Sequence, residues 1–143
     1  MLLADNKILR TEKTPEISYN PDGIITIKGR WLMDYNSEFS KALSDWFDTY
    51  IFNSTEIVAI NISLEYINGF NSATLIALLR KILFIQLSGN KLIINWFYEE
   101  GDEDIYGLGE YISDILETPF TFKKSSFSKP LLEYPNIQLK KAI

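Results

Sequence analysis

The sequence predicts an α/β fold: a small mixed β-sheet with helices, its elements in the order β-β-α-β-α-β-α-β. Two patterns carry that prediction. Residues 57–67 alternate, with Val58, Ile60, Ile62, Leu64 and Tyr66 on one face and Ile57, Ala59, Asn61, Ser63 and Glu65 on the other. An apolar helical run over 72–87 and a second β-rich run over 91–98 follow. Strand, helix and strand in this length make a right-handed parallel crossover the default. Ahead of them, Asn20-Pro21-Asp22-Gly23 is a turn by composition, because Pro fixes φ and Gly accepts a positive one. Its flanking runs therefore pair as an antiparallel hairpin, and the sheet is mixed.

Residues 1–13 are polar and mixed and read as a loosely held lead-in, with Thr14-Pro15 setting an extended start. The hairpin arms are 16–19 and 24–29, and 30–36 is a connecting loop. Ser37 then caps a helix in which Phe39, Ala42, Leu43, Trp46, Phe47, Tyr50 and Ile51 recur on a single face. Asn53-Ser54-Thr55 ends it. After the 57–67 strand, Asn71 or Ser72 starts the second helix, which Ser88-Gly89-Asn90 closes. The acidic run from Glu99 to Asp104 leads into a third helix over 105–116, with Ile105, Leu108, Ile112 and Ile115 as its apolar stripe. Thr118-Pro119 breaks that helix, and Phe120-Thr121-Phe122 reads as a final edge strand. Beyond it no periodicity is sustained, and no internal repeat is visible. The organisation is a lead-in over 1–13, one domain over 14–122 and a basic tail over 123–143.

A chain of 143 residues with 46% hydrophobic content supports one core. It contains no Cys and no His. That removes disulfides, thiolate nucleophiles, imidazole acid–base chemistry and the usual soft metal ligands, and it suits a reducing cytoplasm. The net charge of −5 argues against nucleic-acid binding, which needs clustered Lys and Arg. The charge is uneven: 123–143 holds five Lys against Glu133, net +4, which leaves −9 on 1–122. The apolar run after Thr74 is broken by Arg80 and Lys81, far short of the roughly 20 residues a membrane span requires. No membrane insertion, metal or cofactor is expected.

The strand-to-helix junction around Tyr66, Asn68, Gly69, Phe70, Asn71 and Ser72 is the strongest functional candidate. An apolar strand ends there in small polar residues, and the following helix offers unpaired N–H groups and a partial positive charge. Capping accounts for Asn71, Ser72 and Thr74; as a cap, Ser72 replaced by Ala would cost about 0.5–2 kcal/mol. The alternative is a hydroxyl that takes phosphate. The second helix is apolar on more than one side, with Leu75, Leu78, Leu79 and Ile82 on one stripe and Ile76, Leu83 and Leu87 on another. Such a helix is either sandwiched or offers a partner surface beside the junction. The acidic run lacks the ligand spacing of a calcium loop and complements the start of the next helix. Trp46 and Trp96 read as structural, whereas Trp31, in a loop, is the tryptophan whose exposure would bear on binding.

Several segments resemble a known family. Thr14-Pro15-Glu16, Ile27-Lys28-Gly29-Arg30, Trp46-Phe47-Asp48-Thr49-Tyr50, Leu64-Glu65-Tyr66-Ile67-Asn68, the run from Asn95 to Asp104, and Pro119-Phe120 together are similar to the SiaC-like family of bacterial biofilm-regulation phosphoproteins. The resemblance covers about 14–122. It implies a STAS-like fold resembling anti-sigma-factor antagonists, and no catalysis. It also implies switching by a Ser/Thr kinase and a PP2C-type phosphatase, with the unmodified form binding a diguanylate cyclase. The family's phosphoacceptor Thr directly follows the strand-end Asn, and that position here is Gly69, with Phe70-Asn71-Ser72 after it. Either the switch has moved to Ser72, or the chain is held in one state; Gly69 would also permit a positive-φ bend.

The sequence therefore reads as a non-enzymatic, cytoplasmic signalling adaptor. Tyr66, Asn68, Gly69, Phe70, Asn71 and Ile76 would contact the partner, and Ser72 is the candidate phosphorylation site. The alternative is a carboxylate-dependent small-molecule enzyme or ligand-binding domain, which the missing His, Cys and phosphate loop disfavour. A purely structural subunit is a third reading.

Overall fold

The turn at Asn20-Pro21-Asp22-Gly23 closes as its composition dictates. Asn20 Oδ1 accepts from the N–H groups of Asp22 at 2.9 Å and Ile24 at 3.1 Å, and Gly23 takes φ 86°. The structure, a computed structural model, describes residues 3–4, 6–32, 37–52, 57–85 and 91–125. A seven-stranded sheet runs in chain order through β1 (Leu3–Ala4), β2 (Lys7–Ile8), β3 (Glu16–Tyr19), β4 (Ile24–Trp31), β5 (Ala59–Ile67), β6 (Ile93–Glu99) and β7 (Thr121–Ser125). Pairing is antiparallel from β1 to β4 and parallel from β4 to β7. The expected mixed α/β sheet is therefore present, with the expected order of elements from β3 onward.

Helices α1 (Ser37–Trp46), α2 (Gly69–Ile85) and α3 (Glu103–Leu116) cross between successive parallel strands. Each crossover steps the same way along the sheet, so right-handed connections put all three helices on one face. Cross-strand register agrees. Ile25, Ile60 and Ile94 form one buried row, and Ile27, Ile62 and Trp96 the next. Leu75, Leu78, Leu79 and Ile82 of α2 pack into the same core. The opposite face carries the row Thr26, Asn61, Asn95 and Thr121, with Asn95 Nδ2 donating to Asn61 Oδ1 at 2.8 Å.

Several features depart from the sequence reading; at the start of the 57–67 run, Ile57 is buried and Val58 exposed, the reverse of the expected alternation. Residues 6–13 are tied in: Ile8 is fully buried, Trp46 Nε1 donates to the Asn6 carbonyl at 3.0 Å, and Leu32 N–H donates to the Lys13 carbonyl at 2.8 Å. Two-residue strands hold too little of an alternating pattern to announce themselves. Arg30 and Trp31 continue β4, and Trp31 is 1% exposed, so it is a core residue and its ring is closed to a partner. The helix that begins with α1 turns π-helical over Phe47–Ile51, which keeps Phe47 and Ile51 buried. Finally, β5 bulges. Gly29 pairs with Leu64 but Arg30 pairs with Tyr66, which leaves Glu65 as an extra residue. Tyr66 consequently leaves the apolar face and Ile67 joins it.

The first three residues of the expected 123–143 tail belong to β7; the rest of that tail, the expected stops at 53–55 and 88–90 and part of the 30–36 loop lie outside the described residues.

Candidate functional site at the β5–α2 junction

Asn68, not Ser72, is the N-cap of α2. Its side-chain oxygen accepts from the Asn71 N–H at 2.8 Å, and its carbonyl accepts the first helical bond, from the Ser72 N–H at 3.0 Å. The helix thus begins at Gly69, two residues before Asn71 and three before Ser72, the expected starts. Ser72 sits one turn in, half-buried, and its hydroxyl donates back to the Asn68 carbonyl at 3.0 Å. The cap role expected of Ser72 is accordingly corrected. The signal lay in the Asn68–Asn71 spacing, which is that of a cap and the third helical residue, but Gly69 and Phe70 are poor helix formers and masked it.

The junction is stitched to the end of β4. Asn68 Nδ2 donates to the Leu32 carbonyl at 3.1 Å, Asn71 Nδ2 to the Trp31 carbonyl at 3.2 Å, and the Asn68 N–H reaches the same Trp31 carbonyl at 3.4 Å. These bonds satisfy polar groups where two strands and a helix meet. Asn71 is 3% exposed, so it positions the helix and offers no surface to a partner, contrary to the sequence reading. Ile76 is half-buried and packs on the core.

Three junction residues face solvent. Tyr66 is 49% and Phe70 55% exposed, and Gly69 lies exposed between them in sequence. Gly69 has helical backbone rather than a positive φ, and a Cβ added there would meet nothing within 4 Å. The fold does not demand glycine at that position. The first turn of α2 carries no acidic residue, so the partial positive charge of the helix start is not offset from within the helix.

A shallow depression of about 800 Å³ borders the junction through Leu32 and is lined by Arg10, Lys13 and Arg30 with Glu12 and Glu65. Arg10 pairs with the bulged Glu65 at 3.0 Å. Gly29, at φ 128°, lets the Arg10 side chain pass: a Cβ there would lie 3.1 Å from Arg10 Nε. Arg30 and Lys13 make no ion pair among the described residues. The acidic loop is engaged elsewhere. Asp102 caps α3, its Oδ1 accepting from the Ile105 N–H at 3.1 Å, and Glu103 and Asp104 occupy the first helical turn. Among the described residues no group of three or more carboxylates is placed to hold a metal ion, and no helix is long and apolar enough to cross a membrane.

Residues 8–125 match the model of the SiaC family of regulatory phosphoproteins. Among solved structures, the chain is similar to apo-SiaC from Pseudomonas aeruginosa, with TM-score 0.67, 18% identity, and coverage of 87% of this chain and 100% of that one. It is likewise similar to a structure from the same organism described as diguanylate cyclase SiaD in complex with its activator SiaC, with TM-score 0.72, 19% identity, and coverage of 85% of this chain and 100% of that one. No curated protein matches the sequence.

Proposed function

We propose, since the chain belongs to the SiaC family of regulatory phosphoproteins, that it is a non-enzymatic cytoplasmic adaptor whose β5–α2 junction binds a diguanylate cyclase. The similar Pseudomonas aeruginosa protein forms a complex with such an enzyme as its activator. The observation that carries the reading is the exposed pair Tyr66 and Phe70 beside a junction fixed by Asn68 and Asn71. Aromatic side chains left half in water on a rigid platform are the common anchors of protein interfaces. Tyr66, Asn68, Gly69 and Phe70 form the contact surface; Asn71 and Ile76 support it from beneath. The absence of His and Cys leaves little for catalysis at neutral pH.

Ser72 is the only hydroxyl in the first four residues of α2, and a kinase and a PP2C-type phosphatase acting there would set the partner-bound state. Phosphate would add about −1.5 to −2 charge beside the apolar contact and displace the Ser72–Asn68 hydrogen bond, releasing the partner. A constitutive binder is the second reading. It is favoured by Gly69, which the fold does not require and which removes a hydroxyl from the position directly after Asn68. Intact-mass measurement after incubation with the cognate kinase and ATP, together with cyclase binding by wild type, Ser72→Asp and Tyr66→Ala, separates these. A mass gain and weak binding by Ser72→Asp support the switch; an unchanged mass and equal binding support the constitutive form. Full cyclase binding by Tyr66→Ala and Phe70→Ala together overturns the junction as the contact surface.

A further inference from the structure

A second surface lies at the far end of α2. Phe84 is 72% exposed, and Phe52, which follows the π-helical turn, is 59% exposed. Two aromatic rings left in water on one face mark a contact surface. They border a trough of about 640 Å³ between the π-helical turn and α2, also lined by Ala77. A second depression continues it toward Ser40 and Thr74, sharing Phe47, Asp48, Ala77 and Lys81 with the first. From Thr74 to Ile85 the trough follows α2 for about 16 Å, the length of roughly three helical turns.

Its charge is opposite to that of the chain as a whole. Arg80 and Lys81 stand exposed on its edge and make no ion pair among the described residues, while the net charge of the protein is −5. Asp48 is the carboxylate among its lining residues, and Lys81 Nζ rests 5.4 Å above the Phe47 ring rather than on an acid. Both walls are helical, so no free strand edge is available to an extended peptide.

We propose that this trough binds an acidic amphipathic α-helix of a partner protein. Apolar anchors at i, i+3 or i+4, and i+7 would pack between Phe52 and Phe84, and flanking carboxylates would meet Arg80 and Lys81. The tail of this chain carries Lys129, Lys140 and Lys141 against Glu133, a charge that mismatches the trough and points to an occupant from outside the chain. Phe84 lies about 22 Å from Gly69 along α2, although the near end of the trough, at Thr74, begins about one helical turn from the junction; the proposal rests on Phe52, Phe84, Arg80 and Lys81 and stands without the cyclase reading.

The test uses the full chain and a fluorescein-labelled peptide of about five helical turns with Leu anchors and Glu flanks, beside a counterpart with Lys flanks. Anisotropy titration should show the Glu peptide bound about tenfold more tightly than the Lys peptide. Arg80→Glu with Lys81→Glu should reverse that order, and Phe84→Ser should weaken the Glu peptide about tenfold. Tyr66→Ala should leave peptide binding unchanged even if it abolishes cyclase binding, which keeps the two proposals distinguishable. Equal affinity for both peptides, or the same affinity in the doubly reversed variant, overturns the proposal. Concentration-dependent self-association that the doubly reversed variant loses also overturns it, by giving the trough to a second copy.

Discussion

At the start of α2 the cap is Asn68 and the first turn holds no acid; at the start of α3 the cap is Asp102, with Glu103 and Asp104 behind it. The glycines of the two helices contrast in the same way. A Cβ on Gly69 would meet open space, whereas one on Gly109 would lie 2.6 Å from the Trp96 ring. Both units lead from a parallel strand into a helix, yet the β6–α3 unit carries its own acids and a packed glycine, while the β5–α2 unit keeps room and has no acid in its first turn. A regulatory contact or an added phosphate belongs where the fold has not already used the space and the field.

The largest expected effect tests the packing half of that contrast. Gly109→Ala should cost about 1–3 kcal/mol in chemical denaturation, because Trp96 is fully buried and held by its Nε1–H bond to the Ile105 carbonyl at 2.9 Å. Gly69→Ala should shift stability by no more than about 1 kcal/mol, in the stabilising direction. Equal effects at the two glycines would remove the contrast.

Next in size is the cap. Asn68→Ala should cost about 0.5–2 kcal/mol from the lost cap, and more from the lost tie to Leu32, read as a lowered denaturation midpoint at unchanged slope.

The electrical half comes third. Asp102→Asn keeps a capping oxygen and should lose only about 0.3–1 kcal/mol, while Gly69→Asp should gain a similar amount; both shifts should shrink in high salt. A Gly69→Asp variant that gains nothing would mean that the helix start is already offset by its surroundings.

The smallest effect is at Ser72. Because it sits one turn inside the helix and bonds back to a helical carbonyl, Ser72→Ala should stay within about 0.5 kcal/mol of wild type, below what a cap would show.

The elements legible in the sequence were those with several periods of pattern: β3 and its turn, β4, the apolar face of α1, α3 and the core positions of β5. Short or out-of-phase features were not legible. β2 has two residues, and Tyr66 fell in phase with Ile60, Ile62 and Leu64 until the bulge moved it. At the junction, the segment was recognisable from strand-to-helix chemistry, but the roles within it were not. Asn68, Asn71 and Ser72 are all competent caps, and only the positions of the Trp31 and Leu32 carbonyls decide which amide points inward. Trp31 read as a loop residue because Arg30 interrupts the apolar run, although Arg30 lies on the outer face of a continuing strand.

The bulge at Glu65 gives β5 two parities. Up to Leu64 the even-numbered side chains belong to the interior, whereas at Ile67 an odd-numbered one does. Inside and outside are thus exchanged along this strand by counting rather than by chemistry. Removing Glu65 would restore an unbroken alternation with Tyr66 still outside and Ile67 still inside, whereas pairing the strand without the bulge while keeping Glu65 would send Tyr66 inward and Ile67 outward. A descendant sequence could therefore shed the bulged acid, and with it the Arg10 ion pair, through one deleted codon while its tyrosine stays exposed.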